Sequence, residues 1–188
     1  MNQSPDHSPD QSPDHSPDQS PAEPAAPEAL RFGPDDVIPN NPELPALVYR
    51  GAVPADAAAI EALFAGHGWS PQWRWGVYDF DHYHDTGHEA LGCFAGSGRL
   101  RLGGPEGVEV AMAAGDVVVL PAGTGHGCVS ASDDFRVVGA YPPGQTGAIL
   151  TAPATAETRA RIAAVPRPGS DPVAGPDGPL IRLWRAGG

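Results

Sequence analysis

Lysine is absent from this 188-residue sequence; all eleven basic residues are arginine, and they are scattered along the chain. A surface that binds nucleic acid needs a basic stripe to neutralise phosphates, and none is written here. No apolar run is long enough to span a bilayer, and the N-terminus lacks the charged-then-apolar pattern of a secretion signal. The two cysteines, Cys93 and Cys128, are too few for a disulfide framework. The expectation is a soluble, cytoplasmic protein with reduced thiols that binds neither nucleic acid nor membrane.

Residues 1–30 lack aromatics and arginine and have almost no large aliphatic side chain. From Ser4 to Gln19 the unit SPDHSPDQ occurs twice without change. Such a stretch buries too little apolar surface to offset the entropy of ordering it, so residues 1–30 read as a disordered acidic tail. The tail holds six acids, which leaves 17 of the 23 acids against the 11 arginines and a net charge near −6 for residues 31–188. That remainder is long enough to bury a core and reads as one domain, with its core at about 73–142.

Asp56 to Phe64 reads as a short helix, with Ile60, Leu63 and Phe64 on one face and Gly66 and Gly68 as the stop. Trp69, Trp73 and Trp75 follow and are expected to cover one end of a β core. From Trp73 to Tyr141 the period shortens to β-type runs at 73–84, 89–95, 98–103, 108–113, 116–120, 126–130 and 135–141, separated by glycine turns. That many short strands fit a sandwich or small barrel. Thr155 caps a second helix with Glu157 in its first turn, and Pro166 ends it. Asp171–Trp184 reads as turn-rich, finishing in an apolar pair that docks on the barrel.

Four histidines, His82, His84, His88 and His126, fall in the strand region. A strand puts residues i and i+2 on one face, so His82 and His84 point the same way. Glu89 opens the next strand, and His126 opens a later one behind the turn Pro121-Ala122-Gly123-Thr124-Gly125. A His-x-His pair alone is a weak signal; an acid and a third histidine strengthen it. Imidazoles with one carboxylate suit Fe, Mn, Ni, Co, Cu or Zn, and the set does not choose among them.

The spacing Gly76-(x5)-His82-x-His84-(x4)-Glu89-(x6)-Gly96 resembles the first cupin motif at every position. Gly115-(x5)-Pro121-x-Gly123-(x2)-His126 resembles the second, 18 residues further on. The surrounding text (HYHDTGHEALG, LGGPEG, GDVVVLPAGTGH, VVGAYPPGQ, then DPV and GPL) is similar to the YjlB-like cupins over most of residues 45–184. The resemblance implies an all-β, double-stranded β-helix (the RmlC-like jelly-roll barrel) with one or two short flanking helices. It further implies one divalent transition-metal ion (Fe, Mn, Ni or Zn) held by His82, His84, Glu89 and His126, and a homodimer. One position departs: the second motif usually ends in Asn, and this chain has Ser130.

Strand parity puts Tyr78 and Phe80 with His82, Leu91 and Cys93 with Glu89, and Cys128 with His126. Phe80 and Leu91 are expected to fill the barrel, while Tyr78, Cys93, Cys128 and Tyr141 are candidate pocket-lining residues; Gln145 is a candidate at the pocket mouth. His88, beside Glu89, is expected to face outward to a surface or loop, with replacement of Glu89 or an acid/base role at the pocket rim as the alternatives, and His67 is expected to be solvated. His7 and His15 are candidates only for weak metal contact. No nucleophile elbow, P-loop or dinucleotide fingerprint is present. Two functions fit: a metal-dependent enzyme of oxygenase or isomerase type acting on a small molecule, or a barrel that binds a small molecule without turning it over.

Overall fold

A computed structural model describes residues 26–185. Residues 1–25, with the SPDHSPDQ repeat, His7 and His15, lie outside the described residues. The last part of the segment read as disordered is a strand. Glu28–Leu30 (β1) pairs antiparallel with Ala46–Tyr49 (β2), and Leu30 packs against the core between the sheets. Composition missed it because the partner strand, and not β1's own residues, supplies the reason to order.

Val117–Leu120 (β7) is an unbroken apolar run, which needs cover on both faces of its sheet. The fold provides it. The remaining strands are Ser70–Trp75 (β3), Glu89–Ala95 (β4), Ser97–Leu102 (β5), Val108–Ala113 (β6), His126–Ala131 (β8) and Arg136–Tyr141 (β9). They form a six-stranded sheet in the order β1-β2-β7-β4-β9-β3 and a three-stranded sheet in the order β6-β5-β8, antiparallel throughout. The result is a two-sheet jelly roll. Alternate residues of the large sheet divide between two cores. Ala46, Val48, Leu91, Cys93, Val118 and Leu120 face the small sheet and meet its Leu100, Leu102, Val110 and Met112. Leu47, Tyr49, Ala90, Val117 and Val119 face outward under a helical layer.

That layer begins with Ala57–Gly66 (α1), capped by Asp56, whose Oδ1 accepts the Ala59 N–H at 2.8 Å. Its Ile60 and Phe64 sit over Gly92 of β4, where a Cβ would come within 2.7 Å of Ile60 Cγ2. Ala156–Ala164 (α2) is capped by Thr155 as its sequence predicts. Pro179–Arg185 (α3) adds a third helix, in the segment read as turns, and Trp184 docks as expected: it is buried and donates from Nε1 to the Pro45 carbonyl at 3.0 Å. Asp171 holds this end of the chain together. Its Oδ1 accepts from the N–H groups of Val173 and Ala174, and its Oδ2 accepts from Leu180 N–H and Tyr49 O–H. The sequence fragments DPV and GPL are the two halves of that clasp.

The run expected at 73–84 divides. β3 ends at Trp75, residues 76–81 form no strand, and His82 and Tyr83 make only isolated bridges to His126 and Leu150. β3 pairs with β9 in the large sheet, whereas His82 pairs with the small sheet, so the chain crosses between sheets and cannot stay in one ladder. Arg101 of β5 grips the crossing through Asp81, at 3.1 and 2.8 Å. Of the three tryptophans, Trp69 is buried in the outer core, Trp73 is half-buried and Trp75 is exposed. No helix among the described residues is long and apolar enough to cross a membrane.

Candidate metal centre

The two sheets each deliver part of one polar cluster. His82 and His126 exchange backbone hydrogen bonds, His82 N–H to His126 C=O at 3.0 Å and the reverse at 2.9 Å. Gly123 lies in the turn before β8 with φ 89°, a conformation that glycine adopts without strain. Its N–H donates to the His84 carbonyl at 2.7 Å, so the turn that launches His126 also fixes His84. Glu89 opens β4 with the inward parity of Leu91 and Cys93. All four side chains are buried.

Each imidazole has its Nδ1 on a main-chain carbonyl: His82 on Phe80 at 3.2 Å, His84 on Ala148 at 2.9 Å and His126 on Thr124 at 3.1 Å. A carbonyl can only accept, so each Nδ1 carries the proton and each Nε2 is left with its lone pair. One ligand atom from each of the three rings falls within 4.8 Å of the other two. Glu89 Oε2 lies 3.3 Å from His84 Nε2 and 3.2 Å from His126 Nε2. Neither Glu89 Oε2 nor His84 Nε2 has a partner in hydrogen-bond geometry, although both are fully enclosed. Buried polar atoms without partners are costly unless another group completes them. Lone pairs converging beside a carboxylate oxygen fit a divalent cation.

The electrostatics divide the cluster: His82 is held neutral, whereas without an ion His84 and Glu89 favour a charged pair. Burial, with repulsion from His126 and His84, pulls the pKa of His82 down to about 3, which keeps the ring neutral. Burial also opposes charge on His84, but attraction to Glu89 outweighs it and raises that pKa. Burial likewise works against ionised Glu89, yet His84 and His126 hold its carboxyl well below the usual range. Glu89 Oε1 accepts a short hydrogen bond from the Tyr141 hydroxyl, whose oxygen accepts from Trp73 Nε1 at 3.1 Å. Burial and the Glu89 charge push the Tyr141 pKa up, so it stays a donor. Tyr141 was a candidate from sequence; its partnership with Glu89, 52 residues away, carries no sequence signal.

A cavity of about 290 Å³ opens onto this cluster. Tyr78, Tyr141 and Leu91 are among its lining residues. Cys93 is not. It is fully buried between the sheets, its thiol on the Ala95 carbonyl, and burial pushes its pKa up to about 11. Cys128 is also absent from the lining and turns to the Ser130 carbonyl. The parity argument chose the right face for Cys93 but not the depth, since two residues along a strand move a side chain about 7 Å. Phe80 does not fill the barrel; it stands exposed, stacked on Tyr78 at 5.0 Å. Ser130 is exposed on β8.

His88 is corrected from surface to interior. Its Nδ1 accepts the Ala122 N–H at 2.9 Å, its ring packs 4.8 Å from the Trp184 ring, and burial lowers its pKa to about 4. Gln145 is corrected as well: it bridges the His88 N–H and the Pro166 carbonyl and does not reach the cavity mouth. His67 is half-buried, with Nδ1 2.8 Å from the Pro172 carbonyl. These departures share a cause. The C-terminal segment folds back over the outer sheet face and covers residues that local sequence leaves exposed.

No protein-family model matches the chain. Among solved structures, a DUF861 family protein from Thermotoga maritima is 24% identical, with a TM-score of 0.29 over 36% of this chain and 72% of that one. Streptomyces albus HEPD, solved with 2-hydroxyethylphosphonate and Fe(II), is 12% identical, with a TM-score of 0.27 over 76% of this chain and 28% of that one. At those TM-scores neither likeness bears on the chemistry here. The uncharacterized protein YjlB of Bacillus subtilis is 37% identical over 156 residues, 81% of this chain and 94% of the relative. With that identity and coverage, the chain belongs to the YjlB-like cupins.

Proposed function

We propose that the protein is a metal-dependent enzyme acting on a small molecule, with one divalent transition-metal ion held by His82, His84, Glu89 and His126. The observation that carries this reading is the set of three Nδ1–carbonyl hydrogen bonds, which leaves three rings with free lone pairs grouped together, two of them beside Glu89 Oε2. An iron(II) ion there supplies dioxygen activation, whereas Mn, Ni or Zn supplies a Lewis acid that polarises a carbonyl or activates water. The chain's own contributions are distinct. The three carbonyls orient the rings, and Tyr141 takes one oxygen of Glu89 so that the other stays aimed at the cluster. Leu91 and Trp73 line the cavity beside it.

Metal analysis of protein purified without a histidine tag tests the reading, beside a His82→Ala/His126→Ala variant. Close to one equivalent of a single transition metal in the parent, lost in the variant, is the expected result. A parent that stays metal-free after reconstitution overturns it. With metal bound, consumption of a small molecule marks an enzyme, whereas stabilisation without consumption marks a binding barrel.

A further inference from the structure

The walls of the cavity differ in kind from its floor. Above the polar cluster stand Trp73, Trp75, Val77, Tyr78, Leu91 and Ile149, and no arginine lines the space. The chain has no lysine, and Arg136, whose guanidinium carbon lies 5.8 Å from the centroid of the Trp75 ring, is not among the lining residues, so the basic side chains lining the cavity are the floor histidines. Among the described residues Glu89 is its sole acid, and beside a divalent ion it leaves a net charge of about +1. One anionic head can be met at the ion; a second, further out, would lose its water and gain no partner, which is costly.

The rim points the same way. Trp75 is 69% exposed, Tyr78 49% and Ile149 46%, and all three line this cavity, while Phe80, 42% exposed, stacks on Tyr78. These are four of the six large exposed apolar side chains among the described residues. Scattered exposed hydrophobics need no explanation, but a cluster at the mouth of a polar-floored cavity does. Planar side chains give a flat apolar guest its best contacts. The volume of about 290 Å³ is at the small end of ligand pockets, which run from about 300 to 1,000 Å³.

From this, resting on the proposed metal site, we infer that the cavity takes a small molecule with a metal-binding oxygen head and an uncharged, planar apolar body. A phosphorylated or multiply carboxylated metabolite does not fit. The head meets the histidine floor, and the body lies between Leu91 and the Trp75–Tyr78 rim.

Three hydroxamates that share one head and differ in body test this: acetohydroxamate, benzohydroxamate and 4-carboxybenzohydroxamate. Each is titrated by calorimetry into Co(II)-loaded protein of measured metal content. Benzohydroxamate is expected to bind about tenfold or more tighter than both others. Trp75→Ala and Tyr78→Ala, both at exposed positions, are expected to erase most of that preference while acetohydroxamate binding and cobalt content stay unchanged. Equal affinity for the three, or a preference for the carboxylated one, overturns the inference and leaves the metal site standing. So does a parent dimer that Trp75→Ala makes monomeric with the hydroxamate preference intact, because the rim is then a contact between copies. Failure to load cobalt overturns the proposed metal site itself, and the inference with it.

Discussion

The Tyr141 hydroxyl donates to Glu89 Oε1 from the neighbouring strand, and that single bond fixes which carboxylate oxygen faces the histidine cluster. Tyr141→Phe removes the donor and keeps the ring. Glu89 then rotates more freely, and metal affinity is expected to fall about 10- to 100-fold. Competition against a fluorescent chelator measures the change, and circular dichroism verifies that the fold is retained. Unchanged affinity would show that Glu89 is held by other means.

Because Glu89 Oε2 and His84 Nε2 lack hydrogen-bond partners, a bound ion should stabilise the native state. A metal concentration 100-fold above its dissociation constant adds about 2.7 kcal/mol. Excess chelator is expected to lower the Tm of metal-loaded protein by several degrees and to leave a His126→Ala variant unmoved. Equal Tm values with and without chelator in the parent would contradict a metal site at this cluster.

His88 should make the metal-free protein acid-sensitive. Its folded pKa of about 4 lies below the ordinary 6.5, so the neutral ring is the one compatible with the fold. The contribution is intact above about pH 6.5 and is lost progressively as pH falls toward 4, where the unfolded chain binds the proton more readily. At roughly 1.4 kcal/mol per unit, the full loss is about 3 kcal/mol. Urea unfolding at pH 7, 6 and 5 in chelator should show a shallower fall for His88→Asn than for the parent. A parallel fall would assign the sensitivity elsewhere.

A Cβ at Gly139 of β9 would collide with the Trp73 indole, and Trp73 in turn supports Tyr141. Gly139→Ala is therefore expected to cost about 1–3 kcal/mol through overpacking and to weaken metal binding through the displaced indole. Denaturant unfolding and chelator competition report the two effects separately. Loss of stability with full metal affinity would uncouple Trp73 from the centre.

Much of the centre was readable because its information is local. The extended backbone fixes His82 and His84 on one side, Glu89 opens a strand by parity, and the Pro121–Gly125 turn announces His126. The same logic located β4 and β6 at their observed bounds and the cap Thr155. It failed where a distant segment decides. The run at 73–84 divided because the chain changes sheets, His88 was covered by Trp184 from the far end of the chain, and β1 formed on the edge that β2 provides.

The sequence by itself determined most of the strand periods and turns, which depend on spacing within a few residues, and it offered four candidate ligands through their match to the cupin motifs. Only the tertiary structure decided that Tyr141 orients Glu89, that Cys93 lies in the core, and that Trp75 and Tyr78 form the apolar rim of the cavity. Those facts depend on which strands become neighbours and how deep each side chain sits. Periodicity gives a side chain's direction along its own strand; packing against remote segments gives its depth and its partners.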